Sequence, residues 1–313
     1  MLATELITKV TTMKKVFVAL FAMILAYTSS ACDICGCGVG NFNPYIFPHF
    51  AQKFFSVGYN YRYYRTNAHD DMGNEMLNKE YYQSISVAGQ ITIARKLELM
   101  GYLPFQSNLQ KGPEGNKSLN KLGDAILLAN YRLFDHISSN DQLRQTIVAG
   151  GGVKLPTGSY HYEEGSEEQV DNPNFQAGTG STDFLLNVYY SLRCKKFAMS
   201  TGVTYTMNTA NKDDHRFGNR LLTVMQIKYV KDAGSISVIP NVGLVIDHMD
   251  EDKQSGIVID HTGGHNIQAT VGFDVNNRKI AAGIFYSKPV NQNLAMGHIQ
   301  AMPGLNLHVS FIL

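Results

Sequence analysis

The sequence predicts an all-β chain folded as a twelve-stranded antiparallel transmembrane β-barrel of the outer-membrane type. Three observations predict it: apolar residues that alternate along many segments, connections that alternate strictly between short and long, and an export signal ahead of both. Helix-period stretches are missing, while 28 Gly, 17 Tyr and 16 Phe suit aromatic-rich strands.

The alternation assigns faces. In "FFSVGYNYRYY" (54–64), Phe55, Val57, Tyr59, Tyr61 and Tyr63 share one side and Ser56, Gly58, Asn60 and Arg62 the other. "SISVAGQITI" (84–93) opposes Ile85, Val87, Ile91 and Ile93 to Ser84, Ser86, Gln90 and Thr92. "FAMSTGVTYTMN" (197–208) and "LNLHVSFIL" (305–313) repeat the pattern. Strands lie near 53–66, 80–93, 96–106, 122–134, 142–155, 181–192, 196–208, 218–230, 234–248, 265–275, 278–288 and 299–313. Most reach the roughly 9–11 residues that a tilted strand needs to cross a bilayer.

The connections separate a membrane barrel from a soluble sandwich. Even-numbered strands end in the turns "ARK", "FDHISSND", "RCK", "KDAG" and "NNR". Odd-numbered strands end in polar loops at 67–79, 107–121, 156–180, 209–217, 249–264 and 289–298. Short periplasmic turns, long external loops and an even strand number belong together in outer-membrane barrels. In lipid every backbone group must be paired, so the sheet has to close. Aromatic residues on the apolar face, among them Tyr61, Tyr63, Phe105, Tyr131, Phe197, Tyr205, Tyr229, Phe273 and Phe311, suit girdles at the membrane interfaces.

Ahead of the strands, Lys14 and Lys15 precede "VFVALFAMILAY", and "TSSA" places Ser29 and Ala31 before a cut at Cys32. Basic start, short apolar run and small residues make a secretory signal peptide, with Met13 as the natural start. The division is then residues 1–31 signal peptide, 32–52 a periplasmic cysteine-bearing segment, and 53–313 the barrel in the outer membrane. A net charge of +1 gives no basic surface for nucleic acid. The expected surroundings are outer-membrane lipid and lipopolysaccharide.

The inward face carries Arg62, Arg132, Lys154, Arg220 and Lys228 against Glu98, Asp124, Asp183, Asp247 and Asp274. Five bases facing five acids predict a paired network in a constricted lumen, because sign-selective pores are lopsided in charge. The segment "VGNFNPYIFPHFAQ" either plugs the periplasmic mouth or lies at the inner interface. The external loops collect His69, His161, His215, His248, His261, His265 and His298, with carboxylates at Glu163, Glu164, Glu167, Glu168, Asp171, Asp250, Glu251, Asp252 and Asp260. These are divalent-metal ligand types, but without a sharp spacing they read as a solvated surface. No G-x-S-x-G is present. His308 and Ser310 share a strand face about 7 Å apart, so no enzyme is expected.

Cys32, Cys35 and Cys37 form C-x-x-C-x-C, and Cys194 falls in the turn "RCKK" on the same periplasmic side. Four readings stand open. The thiols form disulfides, natural in an oxidising compartment. They bind Cu(I) or Zn(II) through soft thiolates. Cys32 is acylated, although "SSAC" lacks the usual Leu. Or the thiols have no role. Copper would need loading before oxidation, or delivery by a periplasmic or envelope partner.

"GGGVKLPTGS" (150–159) resembles the G-x-K-x-P-T-G element of an outer-membrane barrel family that includes meta-pathway phenol-degradation proteins and many transporters. The layout is similar over most of 50–313. The resemblance implies passage of a small solute. "ACDICGCG" with "GNFNPYIFPHF" resembles a Bacteroidetes-type subgroup of such barrels. The alternative function is a metal-handling (Cu or Zn) or accessory envelope protein whose barrel is mainly an anchor.

The cysteine readings separate by alkylation in isolated membranes. Cys32, Cys35 and Cys37 are expected to resist the reagent until either a chelator (metal) or a reductant (disulfide) is added. Free alkylation of all four cysteines without treatment would contradict both.

Overall fold

The computed structural model describes residues 53–69, 75–113, 115–138, 143–160 and 175–313. The signal peptide, the segment 32–52 and Cys32, Cys35 and Cys37 lie outside the described residues, as do His161 and the acidic run 163–171.

Twelve antiparallel strands form the wall. They are β1 (Phe54–His69), β2 (Glu75–Ala94), β3 (Leu97–Gly112), β4 (Gly115–Leu122 continued by Ala125–Ile137), β5 (Leu143–Leu155), β6 (Asp183–Cys194), β7 (Phe197–Met207), β8 (Arg220–Tyr229), β9 (Ile236–Met249), β10 (Gly264–Asn276), β11 (Ile280–Leu294) and β12 (Ile299–Ala301 continued by Gly304–Ile312). Each pairs with its neighbours in sequence, and β12 returns to β1 with Phe54 opposite Ile312 and Tyr61 opposite Leu305. The barrel is therefore closed, with no exposed sheet edge.

The polarity is inverted relative to a soluble protein. On β2, Ile85 and Ile93 are 54% and 59% exposed, whereas Ser84 and Gln90 are buried at 4% and 3%. The same inversion runs around the wall, from Leu127 and Leu186 to Val242, Val271 and Val309 outside, and from Asn130 and Asn187 to Asn241 and Ser310 inside. Apolar residues that face outward on every strand are stable only in lipid. Girdles mark both boundaries. Near the long-loop end, Tyr63 stacks on Tyr81 at 4.9 Å, with Arg65 and Lys111 over the rings. At the short-turn end, Phe197 meets Tyr229 at 5.3 Å. The chain is a bacterial outer-membrane barrel.

The strands outrun the expected loops. Pairing continues through Asn67↔Leu77 and Lys111↔Asn116, so 67–79 and 107–121 are mostly hairpin, and β11 runs on to Leu294. Beyond the membrane neither face meets lipid. The apolar alternation stops there, while the hydrogen-bond ladder does not. Register shifts fall at Thr92/Ala94, Arg132/Phe134 and Ile267/Gln268. The last is opposite Pro289, which has no N–H to give the ladder.

Epitope tags placed between residues 161 and 174, or at Ser255–Gly256, are expected to be labelled on intact cells. Tags at Lys195 or Asn277 are expected to need permeabilisation. The reverse pattern would overturn the orientation.

Candidate functional site

The site is the lumen, and its character is set where β4 breaks. Pro104 of β3 cannot donate a ladder bond, and opposite it β4 opens at Gly123 and Asp124, with Gly123 N–H donating to Pro104 O at 2.8 Å. Asp124 turns inward and is buried. Its Oδ1 accepts from Gly158 N–H at 2.9 Å, and its Oδ2 accepts from Thr179 N–H at 2.8 Å and Thr179 Oγ1 at 2.9 Å. Thr157 Oγ1 accepts from Ala125 N–H at 2.8 Å and lies 3.2 Å from Gly123 O, bridging the break itself. Lys154 is ion-paired with Asp183, and its Nζ lies 3.8 Å from Asp124 Oδ2. The segment Lys154–Gly158, "KLPTG", is thus a clamp that folds both arms of the longest loop, 156–182, into the barrel.

The clamp leaves no room for side chains at two positions. A Cβ on Gly158 would sit 2.8 Å from Asp124 Oδ1 and from Gly178 Cα, and one on Gly178 would sit 2.5 Å from Asp124 Oδ1.

The clamped loop closes the external half of the lumen. Phe175 is fully buried in a cluster with Tyr64, Tyr82, Met249, Leu294, Ala295, Ile299 and Ala301. Asn108 Nδ2 donates to Phe175 O at 3.2 Å, and Gln106 Nε2 to Ala177 O at 3.0 Å. The loop after β7 locks against it, and the loop after β9 locks in turn against the loop after β7. Asn211 Nδ2 donates to Thr179 O at 3.0 Å, and Thr209 N–H to Asp183 Oδ1 at 2.8 Å. Gly218 N–H donates to Asp252 Oδ1 at 2.7 Å. Burying Phe175 contributes about 1.5–3 kcal/mol, less than the cost of fixing the loop backbones at about 1–2 kcal/mol per residue. The polar ties therefore decide whether the loop stays in.

Below this seal lies a pocket of about 50 Å³, between Lys154, Thr179, Arg220 and Phe217. In the short-turn half the lumen widens to a cavity of about 420 Å³. Its wall combines Met100, Leu128 and Phe285 with Arg132, Lys228 and Asp274.

Nine of the ten inward charges fall into clusters. Arg132 pairs with Glu98, and Lys154 with Asp124 and Asp183. Arg220 holds Asp247 in a two-pronged contact at 2.7 and 2.6 Å. Asp274 shares the wall of the larger cavity with Lys228, accepts from Asn241 Nδ2 at 3.0 Å and lies 3.6 Å from His308 Nε2. Arg62 joins none of these and packs over the Tyr64 ring at 5.9 Å. His308 and Ser310 have separate partners, since Ser310 Oγ meets Ser56 Oγ at 2.7 Å. Cys194 ends β6 beside the turn Lys195–Lys196, exposed and with no disulfide partner among the described residues. The seal residues Phe175, Thr179, Phe217 and Asp252 escaped the sequence reading of the lumen. Two Phe within otherwise polar loops were the available signal.

Gly158→Ala is expected to lift loop 156–182, so that a protease added outside cuts it at least several-fold faster while the barrel stays folded. An unchanged rate would mean that the clamp does not hold the loop.

Residues 82–293 match the family described as MetA-pathway of phenol degradation. Among solved structures, the chain is similar to an outer membrane channel from Pseudomonas putida F1, at 14% identity and a TM-score of 0.62, covering 85% of this chain and 97% of that one. Also similar are the translocator domain of the autotransporter NalP from Neisseria meningitidis, at 12% identity and 0.42 over 86% and 92% of the two chains, and a mutant of the TodX monoaromatic hydrocarbon channel, at 12% and 0.37 over 91% and 95%. No curated protein matches the chain. The structural likeness to the Pseudomonas channel shows the fold, and the family match covers most of the barrel, including the Lys154–Gly158 clamp. The chain belongs to the MetA-pathway of phenol degradation family of outer-membrane barrels.

Proposed function

We propose that the chain is a selective outer-membrane channel for small amphipathic solutes, closed on the outside by its own loops, and not a general diffusion pore. The observation that carries this reading is the asymmetry of the lumen: about 420 Å³ in the periplasmic half against about 50 Å³ beneath the packed loops. The larger cavity falls in the size range of small-molecule sites, roughly 300–1,000 Å³. Its mixture of apolar and charged lining suits a solute with an apolar body and a polar end. Paired charges give little reason to choose by sign alone. The family's association with phenol degradation supports the same class of cargo, small aromatic or similarly sized organic molecules.

In planar bilayers the wild-type barrel is expected to conduct far less than a wide porin of about 16 strands. Asp124→Ala, which removes the acceptor for Gly158 and Thr179, is expected to raise conductance several-fold. Porin-like conductance in the wild type, or no change on substitution, would contradict a loop-closed lumen.

A further inference from the structure

Two external loops meet at a buried pair that the channel reading does not use. His215 belongs to the loop between β7 and β8, and Asp252 to the loop between β9 and β10. They are only 4% and 3% exposed. Gln254 fixes the imidazole. Its Nε2 donates to the Asp213 carbonyl at 2.7 Å, so its Oε1 is the atom that meets His215 Nδ1, at 3.1 Å. An amide oxygen only accepts, which places a proton on Nδ1 and leaves Nε2 as the ring's acceptor atom in the neutral form. Nε2 lies 3.7 Å from Asp252 Oδ2. The other carboxylate oxygen already takes the Gly218 N–H at 2.7 Å, while Nε2 and Oδ2 have no hydrogen-bond partner. Two buried acceptors therefore face each other across a gap too long for a hydrogen bond.

A cation between them resolves this. Zinc bonds imidazole nitrogen and carboxylate oxygen at about 2.0–2.2 Å, so donors 3.7 Å apart can span one ion. An Nδ1–H held by an acceptor is also how metal-ligating histidines are oriented. We propose that His215 and Asp252 form a clip for a borderline divalent cation of the Zn(II) class, tying loops 208–219 and 250–263 together over the lumen. Short strand pairing sets His215 opposite Gln254 and Arg216 opposite Lys253, which places the two ligands before the ion arrives. Among the described residues no three His, Cys, Asp or Glu converge on one point. Water completes the coordination, and the ion exchanges more readily than in a closed structural site. The clip is independent of what the lumen carries.

The test uses the purified full barrel, stripped with a chelator and titrated with Zn(II) while hydrogen exchange is followed. Wild type is expected to bind one Zn(II) more than His215→Gln or Asp252→Asn. Exchange in loops 208–219 and 250–263 is expected to slow at least fivefold in the wild type only, with the gel mobility of the folded barrel unchanged in all three. Should the variants fail to fold, wild-type crystals grown with Zn(II) decide, and zinc-edge anomalous density must lie between His215 and Asp252. The proposal is overturned by absence of that density or by wild-type binding in both folded variants. It is equally overturned by loop protection that rises with acid and not with Zn(II), the signature of a protonated His215 paired directly with Asp252.

Discussion

One buried carboxylate, Asp124, decides the state of the lumen. Its two oxygens gather three donors from the arms of a single loop, Gly158 N–H, Thr179 N–H and Thr179 Oγ1. Hydrogen bonds to a charged acceptor contribute about 1.5–3 kcal/mol each, roughly twice a neutral one. The position exists because Pro104 interrupts the ladder and lets the backbone of β4 open at the one level where the loop enters. Lys154 then links this carboxylate to Asp183, and Asp183 anchors the next loop through Thr209. A strand defect, a loop and a second loop form one connected device.

The rest of the barrel makes such a device affordable. A closed ladder satisfies the backbone in lipid without help from the interior, so the lumen is free to be polar. Desolvated ion pairs such as Arg220–Asp247 add little net stability. They fill space and fix side-chain positions, leaving the periplasmic half as a shaped cavity and not an open tube. The loop seal adds an apolar cluster across the lumen, with Phe175 against Tyr82 at 6.2 Å.

Much of this was legible in the sequence because period-two alternation needs only one face in lipid. Ile85, Val87, Ile91 and Ile93 marked β2 by their outward exposure, and the same signal placed the other eleven strands. The clamp motif was visible as "KLPTG", yet its role was not, since its acceptor Asp124 lies some thirty residues upstream and only the closed barrel brings them together. The hairpin extensions at 67–79 and 107–121 read as loops because alternation vanishes outside the bilayer while pairing persists. Closure by Phe175 and Phe217 was hidden for a related reason. A loop residue has no periodicity to reveal which way it points.

The most direct measurement is amide hydrogen exchange at Gly158 and Thr179 in the wild-type barrel and in Asp124→Asn. If Asp124 seats the loop, both amides exchange nearly as slowly as those of the central strands in the wild type and at least tenfold faster in the variant. Exchange at the rate of an exposed loop in the wild type would contradict the central claim that this carboxylate holds the lumen closed.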